Sequence, residues 1–516
     1  MGVCKLWTDV AMNTISIWQN IEVRTTGNWL AIVLPRSKGM PLDVTVHCAS
    51  RILPSIVSSL TEEAPRLRRL SVCEGGADVV DLLEDTVLSV DRLPCLETLL
   101  VEYCGDAYAP LDFISFDEGD RFPALRVLDL NSSYVPWDTS IFRQLRVLRI
   151  SETWVPHSST VPLSVFLAVL QMCQNLEELD FSFVYFIDFE DHEPDETGFT
   201  VSLPRLRSFH WFWPDIWAFG SPTDVYQLLE RLHFTRSVDI YLEFEVHMKI
   251  HDSHEEHENI DYLHIIPPDS ACLPILRTMT SADLHGPESR TFRDGWANDS
   301  LSGRDDLGTL KLSFNYNYSG GREARAPWPF SRTAQCTNFC TLFARAPLTS
   351  LTIDPHELPQ APLLRVFRTF PHLSTLELFS GSGDVDATCV EGLFAVLAMD
   401  ACGPRHHPVT AIILPALRTL RFEGIRQSVH MQVLCALLSC LALRAKRGAA
   451  LLFSLRVEVQ CPHIDGTNAE GTKTCEELLA ALQAVVKEPV ELKYVKEDKV
   501  SKFLYNDIES HMTGAD

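Results

Sequence analysis

The densest set of reactive side chains in this sequence is His247, His251, His254 and His257, interleaved with Glu255, Glu256 and Glu258. Imidazole nitrogens and carboxylates are the ligands that zinc and similar divalent ions take, and two histidines four apart share one face of a helix. A zinc-protease helix needs the order His-Glu-x-x-His; here His254-Glu-Glu-His257 closes one residue too soon, and no distant carboxylate stands out as a third ligand. Metal binding by the four histidines is therefore the weaker reading, and a solvated polar loop the preferred one.

Two other stretches have the outline of chemistry without its spacing. Gly466-Thr-Asn-Ala-Glu-Gly471-Thr-Lys473 is glycine-rich like a phosphate-cradling loop, but its lysine stands one place late and no apolar strand runs into the first glycine. Gly381-Ser-Gly383 lacks the spacing of a nucleophile elbow. The 15 cysteines contain no Cys-x-x-Cys pair; Cys336 with Cys340 and Cys435 with Cys440 come close together, but without further zinc-type ligands they read as reduced, buried thiols. The expectation is a protein that is not an enzyme, with no cofactor.

Composition narrows the partners. Over 516 residues, 44 Lys and Arg face 69 Asp and Glu, a net charge of -25. Such a field repels phosphate backbones and anionic lipid, so neither nucleic acid nor membrane is expected as a partner. The basic run Arg444, Lys446, Arg447 is read as interacting with the C-terminal end of the helical stretch before it, where cations are favoured. MGVCKLWTDV has no signal-peptide architecture, the longest apolar helical run, Val433 to Ala445, is too short to span a bilayer, and Leu6 stands where a myristoylation motif needs Ser or Thr. A cytoplasmic or nuclear protein is expected.

The elements that carry these residues are organised by a repeat in which apolar residues stand at i, i+3 and i+5, often introduced by proline. The clearest copies are Pro65-Arg-Leu67-Arg-Arg-Leu70-Ser-Val72, Pro94-Cys-Leu96-Glu-Thr-Leu99-Leu-Val101 and Pro123-Ala-Leu125-Arg-Val-Leu128-Asp-Leu130. Others are Leu145/Leu148/Ile150, Leu176/Leu179/Phe181 and Leu206/Phe209/Trp211, then Leu307/Leu310/Leu312, Leu348/Leu351/Ile353, Leu373/Leu376/Leu378, Leu417/Leu420/Phe422 and Leu452/Leu455/Val457. Residues i+3 and i+5 are one strand period apart and share a face. Between the triads lie segments with apolar residues at helical spacing, among them Leu163 to Met172, Val225 to Leu232, Cys336 to Arg345, Val390 to Leu397 and Met431 to Leu443.

One strand and one helix per repeat, stacked in order, predict an α/β fold: an irregular leucine-rich-repeat solenoid, or horseshoe, with a parallel sheet and outer helices. A doubly wound α/β domain also alternates strands with helices, but it does not repeat a sequence at each strand. The solenoid is expected over 64–500 with an irregular insertion at 247–306, and Val238/Ile240/Leu242 with a degenerate Leu276/Met279 site are read as atypical repeats that bridge the gap. The i+4 residues of the triads should line the exposed, concave face of the sheet. Asp129, Arg149, Asp180, His210, Lys311, Glu377 and Arg421, with Phe212 at an i+6 position, are the candidate target-binding residues, because aromatic rings among charges suit protein recognition. Ser71 belongs to the same predicted row.

The N-terminus carries a second pattern: Val3, Cys4, Lys5, Leu6 and Trp7, followed by Ile17-Trp18 and a strand-like Ile21-Glu-Val23. It resembles the second half of an F-box, in which a Val-Cys-basic-x-Trp helix precedes a Leu-Trp or Ile-Trp pair. Trp29-Leu30, Arg36-Ser37 and Pro41-Leu42-Asp-Val44 resemble the linker of the F-box/leucine-rich-repeat proteins of mushroom-forming fungi. The resemblance implies a substrate receptor of a Skp/cullin/F-box ubiquitin ligase. A Skp-type adaptor would be held by Val3, Cys4, Leu6, Trp7, Ile17 and Trp18, and an unknown protein target by the repeats. A complete F-box opens with a Leu-Pro helix, which this sequence does not contain before Val3. Adaptor binding is thus expected if the box is completed upstream, and a leucine-rich-repeat scaffold without adaptor otherwise. The resulting division is 1–23 partial F-box, 24–63 linker and first cap, 64–500 solenoid and 501–516 tail.

Overall fold

The structure is a computed structural model. It describes residues 4–5, 10, 12–24, 29–47, 54–75, 82–103, 121–131, 137, 140–151, 160–182, 184–187, 200–213, 222–234, 238–249, 265–266, 273–285, 296–306, 308–319, 332–354, 358–379, 387–399, 412–461 and 469–496. The chain divides into two compact units, Met1–Phe244 with Ala271–Leu273, and Glu245–Ser270 with Pro274–Asp516.

In the first unit the strands of the main sheet are β1 (Asn20–Val23), β2 (Leu42–His47), β3 (Leu67–Gly75), β4 (Thr98–Tyr103), β5 (Val127–Asn131), β6 (Val147–Ser151), β7 (Glu178–Ser182), β8 (Ser208–Trp213) and the first part of β9 (Asp239–Lys249). Each pairs in parallel with the next in sequence. The triads set the register. Leu70, Leu99, Leu128, Leu148, Leu179, Phe209 and Ile240 lie side by side across β3 to β9, and the i+5 residues from Val72 to Leu242 form a second row beside them. Both rows are buried. β1 and β2 continue them with Ile21/Val23 and Val44/Val46, so the ladder starts inside the segment that carries the F-box resemblance.

A repeated turn feeds many of the strands. The backbone N–H of the first triad residue donates to the carbonyl three residues back, as in Leu96 to Leu93 at 3.3 Å, Leu125 to Phe122 at 3.1 Å and Leu206 to Leu203 at 3.2 Å. Pro94, Pro123 and Pro204 occupy the second position of these turns, where the fixed φ of proline suits the geometry and no N–H is needed.

Helices pack on the triad face. In the first unit these are α1 (Leu30–Arg36), α2 (Pro54–Glu63), α3 (Leu163–Met172) and α4 (Pro222–Arg231). Phe166 of α3 meets Phe181 of β7 edge-on at 5.5 Å, and Phe181 in turn meets Phe209 at 5.4 Å and Trp211 at 4.9 Å. Aromatic rings thus take over from leucines at this end of the core. Each fully buried leucine or phenylalanine contributes roughly 1.5–3 kcal/mol, so the rows of triads are the main source of stability in the unit.

The second unit contains β10 (Ser281–His285), β11 (Trp296–Arg304), β12 (Thr309–Ser319), β13 (Ser350–Ile353), β14 (Thr375–Phe379), β15 (Thr419–Arg426), β16 (Ser454–Cys461) and β17 (Glu491–Lys496). β10 and β13 to β17 form a parallel ladder in sequence order. Besides one short turn of helix at Ile275–Thr278, its helices are α5 (Arg332–Leu342), α6 (Gln360–Thr369), α7 (Ala387–Leu397), α8 (His430–Lys446) and α9 (Ala469–Gln483), and from α5 to α9 each packs on the next.

Two expectations change in this unit. Leu310 and Leu312 were expected in a parallel repeat strand, but β12 runs antiparallel to β11, and β11 antiparallel to β10, so Lys311 sits on a hairpin attached to the ladder. The parallel neighbour of β13 is β10. Its triad is Met279, Ala282 and Leu284, three residues later than the Leu276/Met279 spacing suggested, and all three are buried. The stretch 247–306, expected as an irregular insertion, therefore includes a repeat strand and one arm of a hairpin. The sheets are mostly parallel and helix-backed, an α/β arrangement compatible with a solenoid.

Candidate functional site

On the face opposite the helices, the predicted i+4 residues come into one row. Asp129, Arg149, Asp180, His210 and Tyr241 are register partners on β5 to β9. Adjacent strands stand about 4.8 Å apart, so the side chains are within reach of one another. Arg149 donates from Nε and Nη2 to Glu178 Oε1 at 2.8 and 2.6 Å and from Nη1 to Asp129 Oδ2 at 3.4 Å. His210 Nδ1 lies 3.1 Å from Asp180 Oδ1, and its ring meets Tyr241 edge-on with centroids 6.4 Å apart. Phe212, half-buried, lies two residues beyond His210 on the same strand face.

Burial and charge act against each other in this row. Loss of water pushes the Asp129 carboxyl above its ordinary value, against the lowering effect of Arg149. Burial also opposes the charge on Arg149, yet its hydrogen bond to Glu178 and the nearby carboxylates hold its pKa above the usual arginine value. The ions are bonded to one another, so the face presents a fixed pattern of charge beside aromatic rings. Ser71, expected on the exposed row, is buried.

The second unit repeats the arrangement with other residues. Lys311, Ser302 and Asp283 align across the hairpin and β10, and Thr352, Glu377, Arg421, Arg456 and Glu491 follow on β13 to β17. Arg421 reaches Glu377 at 3.6 Å and Glu423 at 2.5 Å, and Arg456 lies 3.8 Å from both Glu458 and Glu491. Glu491 is held below the usual carboxylate range by its bond from Lys493. Of the predicted target-binding residues, Asp129, Arg149, Asp180, His210 and Phe212 thus belong to one unit, and Lys311, Glu377 and Arg421 to the other.

At the N-terminus, Ile15–Trp18 forms one 3-10 turn. Trp18 is half-buried, 6.3 Å from the Trp29 ring, with the Arg36 guanidinium 5.3 Å from its centroid. Cys4 is exposed, as are Val10, Met12, Ile17, Trp29 and Ile32, whereas Val3, Leu6 and Trp7 lie outside the described residues. From the sequence, Trp29 enters only as part of the linker resemblance and Ile32 not at all, and the Trp18–Trp29 contact ties the linker to the Ile-Trp pair.

No protein-family model matches the chain, and no curated protein matches it.

The alternative chemistries find little to stand on. His247 lies in the strand β9, which does not supply the helical face that i, i+4 metal binding needs, and His251, His254 and His257 lie outside the described residues. Among the described residues no cluster of three His, Cys, Asp or Glu could hold a metal ion, and no helix is long and apolar enough to cross a membrane. Gly471 and Lys473 fall inside α9 rather than in a loop. Cys336, Cys340 and Cys440 are buried as expected, but Cys435 is exposed. The basic run stands at the C-terminal end of α8, as expected, with Arg444 and Lys446 in its last turn. Arg444 also reaches beyond the helix, donating to the carbonyl of Leu397 at the end of α7 at 2.9 Å and to those of Ile413 and Leu414, before β15, at 2.6 and 2.9 Å, while Arg447 reaches Ala398 O.

Proposed function

We propose that this chain is a non-catalytic binding module that holds a protein target on the open face of its sheets. The observation that carries the reading is the row Asp129, Arg149, Asp180 and His210, set in register with Phe212 and Tyr241 beside it, on the face opposite the described helices. Aromatic anchors among ordered, partly desolvated charges suit a protein partner better than a small substrate. In its fuller form the module is the substrate receptor of a Skp/cullin/F-box ligase, with the adaptor on the surface around Ile17, Trp29 and Ile32. A scaffold without adaptor is favoured by one detail, the packing of Trp18 on the chain's own Trp29 and Arg36.

Size-exclusion chromatography of the full chain with a purified Skp-type adaptor separates the two forms. Co-elution that Ile17→Asp with Ile32→Asp abolishes is the result expected of a receptor, and separate elution leaves the scaffold. Proteins retained by affinity purification of the parent chain should be lost on Arg149→Met with His210→Ala if the open face is the binding surface; unchanged retention would remove it.

A further inference from the structure

A second surface lies on the edge where the strands of the first unit begin. The residue after the first triad leucine, i+1, is charged in consecutive repeats: Arg126, Arg146, Glu177 and Arg207. Backbone bonds hold these four side by side, Arg146 N donating to Arg126 O at 2.7 Å, Glu177 N to Arg146 O at 2.7 Å and Arg207 N to Glu177 O at 2.7 Å. Exposed Arg143 and Arg205 flank them. If the row served only to pair charges across strands, cations and carboxylates would alternate. Instead, five arginines accompany one glutamate, which already receives a two-pronged bond from Arg146 at 2.9 and 2.8 Å. At the two ends of the strip the neighbouring strands each bring a carboxylate: Glu97 beside Arg126, with Arg68 bonded to Asp43 beyond it, and Asp239 beside Arg207, where Asp239 N donates to Arg207 O at 2.8 Å. The arginines still outnumber the carboxylates between them. The surplus of positive charge stands out in a chain of net charge -25.

We propose that this arginine edge docks an acidic, extended segment of a partner protein, at a surface separate from the open face. Three strand spacings of about 4.8 Å give a strip of about 14 Å, which four or five residues of extended chain would follow. Arginine forks match carboxylates in two-pronged geometry, and Arg205 and Arg207 are exposed enough to offer it, while Arg146 is held by Glu177 and adds its charge. A nucleic acid fits less well. Its continuous phosphates would meet Glu177 and Glu97 along the strip and the net negative field of the protein, whereas a peptide can place carboxylates only opposite the arginines.

Fluorescence anisotropy on the full chain tests the proposal with three labelled probes: an octapeptide of alternating Glu and Ser, its Lys/Ser counterpart, and a single-stranded octanucleotide. The acidic peptide should bind saturably at low salt and weaken as salt rises, with the Lys/Ser peptide inert. Arg205→Glu with Arg207→Glu should weaken binding at least about tenfold. Arg143→Glu on the neighbouring turn supplies an independent variant should the double change lower the melting temperature. No saturable binding of the acidic peptide, equal binding by both variants, or tighter binding of the oligonucleotide would overturn it. Arg149→Met leaves this edge intact, so the edge and the open face stand or fall separately.

Discussion

Asp129 pays for its position on the open face in a way that pH can read. Its folded-state pKa is raised, chiefly by burial, so the folded protein holds this proton more tightly than the unfolded chain does. The carboxylate therefore costs stability above the raised pKa, and the cost fades as pH falls through that value toward the ordinary carboxylate range. Asp129→Asn should raise the melting temperature at neutral pH, with the gap from the parent closing on acidification. Thermal denaturation from pH 7 to pH 4 measures it, and a gap independent of pH would contradict an origin in the buried carboxylate. Such residues were legible in the sequence as a class, because i+4 alternates with buried i+3 and i+5. Their bonding was not, since Glu178 and Asp129 become partners of Arg149 only once three strands share a register.

Between elements, the join of α7 to α8 rests on Arg444, which continues the buried stripe Val433, Leu434, Leu437, Cys440 and Leu441. Burial lowers its pKa, and the same burial pushes the Cys440 thiol up to about 11. Arg444→Met keeps the apolar stem but leaves the Leu397 carbonyl at the end of α7, and the Ile413 and Leu414 carbonyls before β15, without this donor. A loss of roughly 2–4 kcal/mol is expected, measured by chemical denaturation. The triads forecast most strands because apolar alternation marks burial. It does not mark direction, which is why the hairpin of β11 and β12 was unforeseen: Leu310 and Leu312 alternate alike in either pairing. β10 escaped for the opposite reason, since Met279 and Ala282 stand where leucines would have announced it. The arginine edge was written in the i+1 positions, but only strand order turns separate arginines into a strip.

At the scale of the whole molecule, each unit is built by adding strands in sequence order, interrupted in the second only by the β11–β12 hairpin, so most contacts are local and stability approaches a sum of links. Strands at the ends of a ladder have one neighbour, and those inside have two. Amide hydrogen exchange should accordingly be faster in β1 than in β5, and faster in β17 than in β14, when read peptide by peptide by mass spectrometry. Uniform exchange within a unit would indicate a single cooperative block instead. The functional reading at this scale rests on the number of aligned strands, because the open rows are as long as the ladders that carry them.

The shared register also makes the links interchangeable. Leu99 and Val101 pair with Leu128 and Leu130, which pair in turn with Leu148 and Ile150. A chain lacking residues 126–145 would bring Leu99 beside Leu148 without any strand slipping or any side chain changing faces. Within the first unit, the shared register therefore lets a strand be dropped in one whole step while the remaining apolar rows keep their face.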